Sequence, residues 1–202
     1  MERSIVPEER LIDLQLTKEM QERFCEANDL YTMCLDSQKR TIGELYGTEE
    51  EKAFIKGRVP EELYGELLER LYATEVEDMI EEPLAEENIR LCGAVIRMGG
   101  KPIAVWIVFA VLSDIGEIPE DMPKTMGTTS ADHFYKSMRF LTTLSRQYFA
   151  AKIDEAFAQE ASVKSIEEKE RAEAELKRNE AMSAIVQEIV SEREFTETAK
   201  SI

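Results

Sequence analysis

The sequence predicts an α+β protein: an antiparallel sheet with helices packed against it, followed by one long C-terminal helix of coiled-coil type. Three observations lead there. Two strongly apolar segments, "NIRLCGAVIRM" and "KPIAVWIVFAVL", flank Gly99-Gly100, and a two-residue glycine turn suits an antiparallel hairpin because both positions tolerate positive φ. Segments with apolar residues every three or four positions precede that hairpin, which is the helical period. From Ser130 to about Val190 a helical pattern runs without Gly or Pro, a rod of roughly 85 Å at ~1.5 Å per residue.

The elements follow in order. In "LTKEMQERFCEAN", Leu16, Met20, Phe24 and Ala27 form the expected buried stripe, Thr17 is available as the cap, and the helix ends near Asn28. Leu30 to Leu35 and Thr41 to Tyr46 flank the polar turn 36–40, a hairpin signal. Thr48 with Glu51 three residues on is a capping box. Pro60 opens another helix, with Leu63, Leu67, Leu68 and Leu71 as its buried stripe. A short strand is expected around Val76 to Ile80, then the glycine hairpin. Ile103 to Leu112 contains no polar residue, so both faces should be covered and this strand should be central. A Pro- and Gly-rich loop, "GEIPEDMPKTMGTTSAD", separates the sheet from the long helix.

The first part of that helix carries Phe134, Met138, Leu141, Tyr148, Phe149, Ile153, Ala156 and Phe157, which can pack on the sheet and on a second copy. Later apolar positions thin to Ala161, Val163, Ile166, Ala174 and Leu176, then recover at Met182, Ile185, Val186 and Ile189. So narrow a stripe is marginal in water for a lone helix. Pairing with an identical helix in a parallel homodimer would bury it. After Val190, "SEREFTETAKSI" inserts a polar break and begins a fresh helical pattern.

Charge excludes some partners. The chain holds 25 Lys+Arg against 42 Asp+Glu, a net charge of −17, and the excess lies almost wholly before Phe134. Such a surface repels phosphate backbones, so nucleic acid and anionic membrane are not expected partners. No stretch has the length of a membrane span, and the first residues lack the pattern of an export signal. Cys25, Cys34 and Cys92 are odd in number and sit in apolar contexts, as reduced cytoplasmic thiols do.

No catalytic set is visible. His133 is the one histidine and sits where the long helix begins, a place for a surface or capping role. Gly99-Gly100-Lys101 lacks phosphate-loop spacing. The acidic run "EVEDMIEEPLAEEN" lacks EF-hand spacing and alternates as an exposed face would. Aromatic and polarisable groups on the strands are the better lead, and Tyr31, Cys34, Cys92 and Trp106 are the candidate ligand-binding residues. Core filling is the competing role for each. Gly93 leaves space on its face, for either a pocket or a closely packed helix.

Two segments, "LTKEMQERFCEANDLYTMCLDSQKRTIGELYG" and "IRLCGAVIRMGGKPIAVWIVFAVL", resemble the PocR-type sensory domain of bacterial signalling proteins, itself PAS/GAF-like. The likeness spans roughly Leu16 to Leu112. It lacks the Cys-x-x-Cys of the family's cysteine-rich pattern. The resemblance implies a cytoplasmic sensor placed ahead of a histidine kinase, a GGDEF-type cyclase or a transcription regulator, as in two-component signal transduction. Residues 1–129 would be the sensory domain, 130–190 a dimerising signalling helix and 191–202 the start of a following domain. The expected function is to bind a small molecule and pass its state through the paired helices. Any enzymatic activity would lie in that following domain, and no particular cofactor is implied. A structural dimerisation module without a ligand is the alternative.

Overall fold

The structure, a computed structural model, describes residues 13–74, 78–84 and 86–200. In chain order it comprises α1 (Leu14–Asn28), β1 (Tyr31–Asp36), β2 (Thr41–Gly43), α2 (Glu49–Arg58), α3 (Glu61–Ala73), β3 (Met79–Pro83), β4 (Ile89–Met98), β5 (Lys101–Val111) and α4 (Ala131–Lys200). The strands form one five-stranded sheet in the order β2-β1-β5-β4-β3. Every pairing in it is antiparallel. The α+β plan, the hairpin and the central place of the all-apolar strand are as the sequence predicts. Gly99 and Gly100 take φ of 58° and 82°, the conformation that brings β4 and β5 into register.

Several boundaries differ from expectation. α1 is capped by Asp13, whose carboxylate accepts from Leu16 N at 3.1 Å, and not by Thr17. The stripe turns with it: Thr17, Gln21, Phe24 and Cys25 are buried, while Leu16 is 43% exposed and Ala27 is exposed. A polar residue wins an inward place because Gln21 finds backbone partners there. β2 stops at Gly43, although Tyr46 N still donates to Thr32 O. β3 begins at Met79, later than expected, and residues 76 and 77 of that expectation lie outside the described residues. The capping box at Thr48 and Glu51 forms as read. In α3, Leu67 and Leu71 are buried, with Leu63 and Leu68 at the margin.

Period-2 alternation sorts the strand residues onto two covered faces. On one, Cys34, Cys92, Ala94, Trp106 and Val108 pack with Phe24 and Cys25 of α1 and with Phe134, Met138, Leu141 and Phe149 of α4. On the other, Leu35, Leu91, Val95 and Ile107 meet Leu67 and Leu71 of α3, and Tyr31 and Phe109 meet Phe54 and Ile55 of α2. Gly93 resolves as close packing: a β-carbon there would collide with Leu71 Cδ1. One acidic residue of the run 75–87 does not face outward: Glu82 is buried in an ion pair with Arg70, whereas Glu81, paired with Arg90 at 2.8 Å, is exposed as expected.

The loop after β5 returns to it. Leu112 and Thr129 form a parallel bridge, with Thr129 N donating to Val111 O and Ser113 N to Thr129 O. Met126 plugs the core between Phe109 and α2. Ser130 then caps α4 by accepting from His133 N, and Asp114 accepts from Ala131 N, so His133 is an exposed first-turn residue.

The chain divides into two compact units, Met1–Ile153 and Asp154–Ile202. In the first, α4 is tied to the rest by Ser137 to Asn28, Tyr135 to Glu81 and Trp106 to Ser145. The described residues of the second are all helical, through Lys200, with no interruption at the polar 191–200. Within it Val163, Ile166, Leu176, Met182 and Ile185 are each more than half exposed.

Candidate functional site

The four residues singled out by sequence part company. Cys34 and Cys92 are fully buried and Trp106 is 1% exposed, all on the face covered by α1 and α4. Cys34 and Ala94 flank Trp106 across the sheet. The indole Nε1 donates to Ser145 Oγ at 2.9 Å, which satisfies the one polar group the ring carries. These three fill a closed interior and line neither of the two grooves described below. Tyr31 alone of the four lines them.

Burial also fixes the chemistry of the thiols. Desolvation pushes Cys25 up to about 11, against the opposing hydrogen bond with Thr32 Oγ1 at 3.2 Å. It pushes Cys34 and Cys92 further still, with the nearby Asp36 and Glu81 charges adding to the effect. Thiolates, not thiols, react. In the folded protein at pH 8, all three cysteines should therefore resist a disulfide-exchange reagent such as DTNB, at least about a hundredfold more slowly than free cysteine. In denaturant all three should titrate at once. A fast-reacting thiol in the native state would show that its surroundings are open.

Two grooves adjoin at Tyr31 and share Glu44, Leu45 and Lys52. The first, about 760 Å³, runs under α2 and α3 over the sheet face. Met33, Leu91, Ile107, Phe109, Ile55 and Val59 make it apolar. Tyr64 adds a hydroxyl that, among the described residues, donates to the Met33 thioether at 3.6 Å, a weak partner. Burial raises the Tyr64 phenol above its ordinary pKa.

The second groove, about 930 Å³, lies between α1, the segment after β2 and the start of α2. Carboxylates of Glu22, Glu26, Asp29, Glu44 and Glu51 line it against the ammonium groups of Lys18 and Lys52. Lys18 faces Glu22 at 3.9 Å and Lys52 pairs with Glu49 at 3.0 Å. Glu51 is occupied by the α2 cap. Tyr46 Oη donates to Glu26 at 3.4 Å.

Tyr31 stands between the grooves because β1 crosses from α1 to the sheet centre there. Its hydroxyl accepts from Gly127 N at 3.0 Å, which pins the end of the loop after β5. Burial pushes its phenol up to about 12, although the Gly127 N–H works the other way. Sequence reasoning missed Gln21, Gly43 and Tyr46, the polar floor and wall of the second groove. The signal was present, since Thr17, Gln21 and Cys25 recur every four residues on one helix face.

No protein-family model and no curated protein matches the chain. No described helix is long and apolar enough to cross a membrane.

Proposed function

We propose that the chain is a cytoplasmic sensory module, PAS/GAF-like and of the PocR type, which binds a small molecule at the Tyr31 grooves and passes its state along α4 to an effector. One observation carries the reading. β5 presents Ile107 and Phe109 to a groove and, on the opposite face, Trp106 to α4, so a ligand that moves the strand acts on the helix within one residue. Grooves of several hundred Å³ walled by apolar and aromatic side chains are the usual form of small-molecule sites. A ligand biases α4 only through a difference in affinity between two arrangements.

The helix supplies the dimer of the proposal. Its exposed Val163, Ile166, Leu176, Met182 and Ile185 lie around the helix rather than on one stripe, and a parallel partner covers those that face it. Sedimentation velocity of the full chain at micromolar concentration should show a dimer. Ile185→Asp should weaken it by about tenfold or more, because burying one isoleucine is worth ~1.5–3 kcal/mol. A strictly monomeric wild type would remove the dimer from the proposal.

A metabolite screen read by thermal shift and Trp106 emission tests ligand binding. The closed packing around Trp106 favours the second reading, a structural dimerisation module whose interior holds nothing. That reading gains if no compound shifts the melting temperature, and it fails if one does so saturably and the shift is lost on filling the groove with Val59→Trp.

A further inference from the structure

We propose that the groove beside α1 receives an organic cation, an ammonium or amidinium group that donates an N–H to Gln21 Oε1. This names the ligand class of the sensory site and rests on that reading. Gln21 is only 3% exposed, yet it lies on a helix face otherwise given to the core. Its Nε2 donates to Thr32 O at 2.5 Å and to Glu44 O at 2.7 Å. Backbone carbonyls can only accept, so the amide cannot be turned round, and Oε1 must face the other way. It stands over Gly43, where a β-carbon would collide with it. Gln21 and Gly43 both line the groove.

Among the described residues no donor reaches Oε1. Oε1 stays open to the groove, and an oxygen held there by the two bonds of its own amide is a preset acceptor for a ligand N–H. Any amide could supply that. The surrounding charge selects among donors: Glu22, Glu26 and Glu44 line the same groove, and its two lysines already face carboxylates. An anion is repelled, a neutral donor gains only the hydrogen bond, and a cation gains both.

The test uses the full chain and three probes of one shape: benzylamine, benzyl alcohol and benzoate. Titration calorimetry should show saturable binding of benzylamine, at least about tenfold tighter than benzyl alcohol, with benzoate not binding. Glu22→Gln with Glu26→Gln, both at the helix surface, should weaken benzylamine by about five- to tenfold and leave the melting temperature unchanged. Gly43→Ala should abolish binding by displacing Oε1. Because that variant is strained, the surface pair keeps the test decisive if it does not fold. Benzylamine binding no better than benzyl alcohol, or indifferent to the surface pair, overturns the cation. Benzyl alcohol or benzoate binding as tightly as benzylamine, and lost in Gly43→Ala, also overturns it, while leaving a ligand site in place. Absence of benzylamine binding overturns it too, and the sensory reading then stands or falls on the metabolite screen.

Discussion

Trp106→Ala is expected to destabilise the protein by about 3–5 kcal/mol, the usual cost of removing a large aromatic from a packed core. The ring is 1% exposed, lies at the centre of the sheet and contacts α4 through Ser145. Its loss leaves a cavity between the sheet and the helix that should follow it in the folded unit. Ser145→Ala separates the two contributions. It keeps the volume nearly constant but strands a buried indole N–H, at ~1–3 kcal/mol. Trp106→Phe should cost less than Trp106→Ala. Its Ser145 hydroxyl can fall back on a carbonyl four residues earlier, as Thr142 and Thr143 already do with Met138 and Arg139. Urea unfolding followed by far-ultraviolet circular dichroism measures all three. A loss below about 1 kcal/mol for Trp106→Ala would mean that the interior is not closed there.

The second large effect lies on the opposite face. Gly93→Ala should cost about 1–3 kcal/mol by overpacking, because its β-carbon falls on the Leu71 side chain. Leu71→Ala alone should cost about 2–5 kcal/mol. Combined, the two should be strongly non-additive: once Leu71 is truncated, the methyl at position 93 has room and its penalty should largely vanish. Such a cycle reports contact directly. Additive behaviour would mean that α3 does not approach the sheet at Gly93.

The elements that the sequence makes legible are those where local and tertiary preferences agree. The glycine hairpin, the capping box at Thr48 and the unbroken apolar run of β5 each admit one conformation at low cost. The failures come where a polar group found a tertiary partner. Gln21 took an inward place that a hydrophobic stripe would assign to its neighbours, since two backbone oxygens on other elements wait for its amide. Strand parity correctly separated Trp106 from Phe109, but parity does not say which face a groove opens on. Cys34, Cys92 and Trp106 were drawn to the packed face for that reason, and Tyr31 to the other. Which helices cover which face depends on the path of the chain after β5, and the Pro- and Gly-rich loop that sets this path has no period to read.

That loop has a practical consequence. Its two ends are held side by side by the Leu112–Thr129 bridge and by Tyr31, so the closure entropy is met by the sheet and rises only slowly with added length. Residues 117 and 118 and residues 120 and 121 are exposed. A fluorescent protein or epitope grafted between Glu120 and Asp121 should leave the sheet intact, and would sit one bridge away from the first turn of the long helix.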